Sequence, residues 1–91
     1  MAVTVRIPTV LRKLTKNQAE VEASGSDIST LIADLESKYP GIKERICNDE
    51  GKIRRFVNIF INDEDIRSRG NEAAKLKDGD VVSIVPAVAG G

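Results

Sequence analysis

With 91 residues, of which 41% are hydrophobic and 31% charged, the chain has the make-up of a single folded globular domain and not that of a disordered one. Fourteen Lys and Arg residues cancel fourteen Asp and Glu residues, so it lacks the long-range positive field that would attract nucleic acid or an anionic membrane, and neither is expected as a partner. Histidine is absent and Cys47 is the only cysteine, which excludes an internal disulfide, a zinc site of several thiolates, a four-cysteine iron-sulfur cluster, and nucleophiles of the Ser-His-Asp or Cys-His type.

Val3, Val5 and Ile7 alternate with Thr4, Arg6 and Pro8, the period of two of a strand with one buried face. Pro8 lacks a backbone donor and ends that strand or lies at its edge. Thr9 to Asn17 is expected to be a connecting loop. Its Arg12, Lys13 and Lys16 read as a solvated basic face, with contact to an acidic partner as the alternative. Ala19, Val21 and Ala23 alternate with Glu20 and Glu22 in a second strand, antiparallel to the first if the two form a hairpin.

Ser24-Gly25-Ser26 breaks that pattern. Ser26 or Asp27 can cap a helix in which Ile28, Leu31, Ile32, Leu35 and Tyr39 fall on one face, predicting an amphipathic helix from Asp27 to Tyr39. Pro40 and Gly41 stop it. Beyond them the pattern is weak: Ile42 and Ile46 pack in a single turn, followed by a turn at Asn48-Asp49-Glu50-Gly51. Cys47 reads as a small packing residue or an exposed bystander and not as a nucleophile, because reactivity requires a lowered pKa.

Phe56 to Asn62 carries the strongest strand pattern. Val57, Ile59 and Ile61 form the face expected to meet the helix, while Phe56, Asn58, Phe60 and Asn62 point the other way. Aromatic side chains on the outer face of a small sheet either mark a binding surface or pack beneath a loop. Together with the basic pair Arg54 and Arg55, Phe56 and Phe60 form a candidate docking surface. Asn62-Asp63-Glu64-Asp65 is read as a turn, since it lacks the glycine and the distal glutamate of a calcium loop. A short strand is expected around Ile66. After a reversal at Asp78-Gly79-Asp80, Val81 to Val85 forms an apolar run without clean alternation, as in a central strand.

These elements predict an α+β domain over residues 1–85: one main helix on one face of a mixed sheet of four to five strands. Side-by-side pairing of the first and last strands in the middle of the sheet would make it a β-grasp, or ubiquitin-like, fold. The cysteine count excludes the iron-sulfur ferredoxin variety.

Residues 86–91 then stand outside the body as a flexible tail, Pro86-Ala87-Val88-Ala89-Gly90-Gly91. Taken alone, such a tail is either a frayed terminus or an arm whose carboxylate carries the chemistry. Glycines allow close backbone approach, Pro86 sets an extended departure, and six extended residues reach about 20 Å at ~3.3 Å each, enough to enter a buried site elsewhere.

The opening VTVRIPTVLR, the central RRFVNIFINDEDIR and the closing DGDVVSIVPAVAGG resemble the ubiquitin-like sulfur-carrier family of the ThiS and MoaD type, over nearly the whole chain. The closer similarity is to its cysteine-biosynthesis branch. The resemblance implies that a ubiquitin-activating-type (MoeB/ThiF-like) adenylating sulfurtransferase joins the Gly91 carboxylate to AMP, and that a sulfur donor then displaces AMP to leave a thiocarboxylate. In the cysteine branch it further implies attack on an aminoacrylate held by a pyridoxal-phosphate-dependent cysteine synthase, then release by a metal-dependent protease. Cofactors would belong to those partners, and none to this chain. Delivery to molybdopterin or thiamin synthesis, or isopeptide modification of lysines, would use the same tail. No apolar stretch approaches the length of a membrane span, and Met1 opens onto polar alternation, so a cytoplasmic protein is expected.

Overall fold

In the computed structural model, residues 2–86 are described. Five strands form one sheet: β1 (Ala2–Arg6), β2 (Glu20–Ser24), β3 (Val57–Ile61), β4 (Glu64–Asp65) and β5 (Val81–Pro86). Their order is β2-β1-β5-β3-β4. β1 and β5 pair in parallel at the centre, with Thr4 opposite Val81 and Arg6 opposite Ser83. All other pairs are antiparallel. This is the β-grasp arrangement, with the first and last strands side by side in the middle of the sheet as expected.

The main helix, α1 (Ile28–Lys38), packs across one face of the sheet. Asp27, not Ser26, caps it: Asp27 Oδ1 accepts from the Thr30 N–H at 2.8 Å, and Thr30 Oγ1 accepts from the Asp27 N–H at 3.2 Å. Ile28, Leu31, Ile32 and Leu35 are all buried; each contributes about 1.5–3 kcal/mol by leaving water. They meet Val3, Val5, Val21, Ala23, Ile59, Ile61, Val82 and Ile84 in one core cluster. The expected turn at Ile42 and Ile46 is the short helix α2 (Ile42–Ile46), with both isoleucines fully buried. Glu36 holds it against α1, accepting from the Gly41 N–H at 3.2 Å and the Lys43 N–H at 2.9 Å.

The structure corrects four local expectations. Thr9–Thr15 is a 3-10 helix and not an open loop: Leu11 and Thr15 are buried, and the Thr15 hydroxyl lies between the Arg12 and Gln18 carbonyls. The short strand is Glu64–Asp65, whereas Ile66 begins a 3-10 helix capped by Asp65. β5 is central yet alternates: Val82 and Ile84 are buried while Val85 is 45% exposed. A single helical layer covers one face of the sheet and leaves even its middle strand half open. Finally, Phe56 precedes β3, in the turn closed by the Val57 N–H on the Arg54 carbonyl at 2.9 Å, so it is not on the strand face that carries Phe60.

Candidate functional site at the root of the tail

Because β5 runs parallel to β1, its last residue emerges at the end of the sheet where β1 hands over to the 3-10 helix Thr9–Thr15 and where β3 begins. Pro86, expected as the first residue of the tail, stands in register with Val57 at the end of β5. The rest of the expected tail, Ala87, Val88, Ala89, Gly90 and Gly91, lies outside the described residues.

Around Pro86 the body forms an apolar groove of about 180 Å³, lined by Val10, Leu11, Arg45, Phe56, Val57, Ile84 and Pro86. Phe56 is 46% and Val10 60% exposed. Phe56 also borders a neighbouring hollow with Asn48, Lys52, Ile53, Arg54 and Arg55. Local hydrogen bonding builds this rim. The Asn48 side chain accepts from the Glu50 and Lys52 amides at 2.9 and 3.1 Å, closing the turn that the sequence places there. The Ile53 N–H donates to Glu72 Oε2 at 2.8 Å, and the Arg54 Nε–H to the Glu44 carbonyl at 3.0 Å. Arg55 is exposed.

Phe60 sits elsewhere. It is half-buried on the open face of the sheet, opposite Ser83 on β5 and Asp65 on β4. The four residues of the candidate docking surface thus separate: Arg54, Arg55 and Phe56 line one hollow, Phe56 also borders the groove at Pro86, and Phe60 belongs to the uncovered sheet face. Sequence reading missed Val10 and Arg45. Its available signal was the spacing of Val10, Leu11 and Leu14 within TVLRKLT, in which Leu11 is buried and Leu14 packs against the core.

Among the described residues, the thiol and the acidic turn are engaged within the fold. Cys47 is 2% exposed; burial pushes its thiol pKa up, with Glu72 adding to that and Lys43 and Arg54 opposing it, so the nucleophilic thiolate is disfavoured. In the acidic turn, Asn62 donates to Asp80 Oδ1 at 2.9 Å and accepts from the Val81 N–H at 3.0 Å, while Asp65 caps Arg67. Among the described residues no three His, Cys, Asp or Glu side chains converge as metal ligands, and no helix is long and apolar enough to cross a membrane.

A family model described as the ThiS family matches residues 5–91, a span that runs from β1 through both final glycines. The chain belongs to the ThiS family. It is 53% identical over 93 aligned positions to the sulfur carrier protein CysO of Mycobacterium tuberculosis, with both chains covered in full. The crystal structure of that mycobacterial CysO superposes with a TM-score of 0.90 at 51% identity, over 94% of this chain and 99% of the other. The BexX/CysO complex of Amycolatopsis orientalis contains a chain that matches with a TM-score of 0.92 at 49% identity, over 98% and 99%.

Proposed function

We propose that this chain is a sulfur carrier of the CysO kind, in which the Gly91 carboxylate is adenylated and then converted to a thiocarboxylate. The observation that carries the reading is that the family match extends to Gly91 itself, five residues beyond the Pro86 that lines a groove on the body. A carboxylate resists nucleophilic attack. Joining it to the α-phosphate of ATP, with release of pyrophosphate, makes an acyl adenylate; a sulfur nucleophile then takes the acyl group, and AMP leaves. The chain acts as a co-substrate and not as an enzyme. Its body supplies recognition while a ubiquitin-activating-type sulfurtransferase supplies the catalytic groups. The small side chains of Ala87, Ala89, Gly90 and Gly91 suit entry of a bare ribbon into that site.

The full-length identity to a carrier named CysO favours delivery of the sulfur to cysteine. There the thiocarboxylate would attack an aminoacrylate on a pyridoxal-phosphate-dependent cysteine synthase, and a metal-dependent protease would free cysteine and restore Gly91. A related CysO solved with BexX supports a carrier that works by engaging a second protein.

Intact-protein mass spectrometry after incubation with ATP, the adenylating enzyme and sulfide tests the reading. Replacement of one oxygen by sulfur at Gly91 is expected, and an unchanged mass would refute it. Adding the cysteine synthase with its aminoacrylate-forming substrate is expected to yield a cysteinyl adduct at Gly91. Transfer to a molybdopterin or thiazole enzyme instead would move the carrier to another pathway. High-mass conjugates that disappear on deletion of Gly91 would identify a protein modifier.

A further inference from the structure

We propose that the groove at the root of the tail is the docking site for an acidic surface, bearing a protruding apolar side chain, on the enzyme that adenylates Gly91. The inference rests on the adenylation reading and adds to it the face by which the body is held. The floor is apolar and open, with Phe56 and Val10 46% and 60% exposed. Its charged border is entirely cationic: Arg45 lines the groove, and Lys52, Arg54 and Arg55 line the hollow that shares Phe56. No acidic side chain lines either. In a chain whose charges sum to zero, these four cations also make no ion pair among the described residues.

The open face around Phe60 is different, because its cations are already answered within the molecule. Arg6 pairs with Glu20 and Arg67 with Asp65, both at 3.5 Å. Unanswered charge beside exposed apolar surface therefore occurs at the groove, and its complement is a carboxylate-bearing protein surface. Distance decides which protein. Pro86 is part of the groove wall, and five extended residues separate it from the Gly91 carboxylate by at most about 17 Å at ~3.3 Å each. An enzyme that encloses Gly91 therefore works within that distance of the groove, and the uncompensated charge selects this face over the open sheet face beside it.

Two variants test the site with the purified adenylating enzyme, reading pyrophosphate release against carrier concentration. Val10→Asp/Phe56→Asp removes the apolar floor, and Arg45→Glu/Arg55→Glu reverses the rim. Arg54 is left intact because it braces the Glu44 carbonyl. All four residues are exposed, so both variants are expected to melt close to the wild type. Each is expected to raise KM for the carrier about tenfold or more with kcat at saturation within about twofold, as loss of an interface anchor or a charge contact does. The defect of the rim variant is expected to shrink from about 0.05 to 0.5 M salt, where screening shortens to a few ångströms.

A KM within about threefold of wild type in both variants, or a fall in kcat alone, would overturn the docking assignment while leaving adenylation intact. Failure of the wild type to be adenylated would overturn the functional reading beneath it. Saturable binding of a single-stranded RNA that both variants lose, with adenylation unchanged, would assign the groove to nucleic acid and also overturn the proposal.

Discussion

Adding one methyl group at Gly25 is expected to unsettle the whole domain. Gly25 lies in the connection from β2 to α1, and a Cβ built there would stand 2.6 Å from the Leu31 N, 2.8 Å from the Leu31 Cα and 3.0 Å from its Cβ. The nearest two of these are backbone atoms of a helix whose inward side chains, Leu31 among them at 1% exposure, are the core. They cannot rotate away; either α1 lifts from the sheet or the β2 end moves, and Ser24 is itself tied to α1 by its N–H on Asp34 Oδ2 at 2.8 Å. Gly25→Ala is therefore expected to cost about 2–3 kcal/mol, the upper part of the range for overpacking, and to lower Tm by roughly 10–20 °C in a domain of this size. Gly51→Ala provides the comparison. Gly51 has φ +80° but nothing within 4 Å of its Cβ position, so it tests left-handed backbone without a clash and is expected to lose only about 1 kcal/mol. Thermal and urea unfolding followed by circular dichroism measure both. A Gly25→Ala loss no larger than that of Gly51→Ala would refute the argument, since it would mean that α1 yields freely at its tightest contact with the preceding chain.

Two further outcomes follow from the helix cap and the thiol. Asp27→Ala is expected to cost about 1 kcal/mol, the usual value of a helix cap. Its pH dependence has a fixed sign. Hydrogen bonds from the Thr30 backbone and then its side chain, with help from Lys75, outweigh desolvation and hold the folded pKa below the ordinary 3.8, so this stabilisation is complete above the unfolded value and is lost as pH falls through the folded one. Melting curves from pH 6 to pH 2 are thus expected to show the Tm gap between wild type and Asp27→Asn shrinking below about pH 4; a gap that widens there would contradict the cap geometry. For Cys47, burial predicts slow reaction of the native thiol with a disulfide reagent and full reaction in denaturant, while Cys47→Ala is expected to gain sulfur at the wild-type rate. Loss of sulfur loading in a folded Cys47→Ala would assign the thiol a part in transfer.

The elements legible in the sequence are those whose pattern is local. The 3.6-residue spacing of Ile28, Leu31, Ile32 and Leu35 and the period-two runs of β1, β2 and β3 each report a face that must be buried, and strand order with one helix then leaves few topologies. The segment Thr9–Thr15 was hidden because charged residues separate its apolar ones and a 3-10 turn buries just Leu11 and Thr15 fully, too few to set a period. Phe56 was misplaced because alternation extrapolates through a strand end. The turn formed by the Val57 N–H and the Arg54 carbonyl breaks the parity one residue before β3, and no residue type marks that break. Gly25 looked like a plain pattern breaker, since a sequence cannot display a helix backbone pressed against the position where a Cβ would stand. At the candidate site the final glycines and the basic pair Arg54-Arg55 were visible, whereas Val10 and Arg45 reach Pro86 only through tertiary folding.

The parallel pairing of β1 with β5 is what joins these pieces into a site. The other end of the sheet, where β5 begins, holds Ala2 and the Asp78-Gly79-Asp80 turn: the Ala2 N–H meets Asp78 Oδ1 at 3.0 Å and the Asp80 carboxylate holds the Lys77 N–H at 2.8 Å. That end is rich in carboxylates, with Asp63 also in the neighbouring turn. Parallel pairing brings Pro86, the last described residue, to the opposite end, near the 3-10 helix that carries Val10 and the turn that carries Arg55 and Phe56. The chain is neutral in total, but its topology places near Pro86 cations that make no ion pair among the described residues. Reversing Arg45 and Arg55 therefore tests whether the charge at the Pro86 end of the sheet selects the proposed adenylating partner.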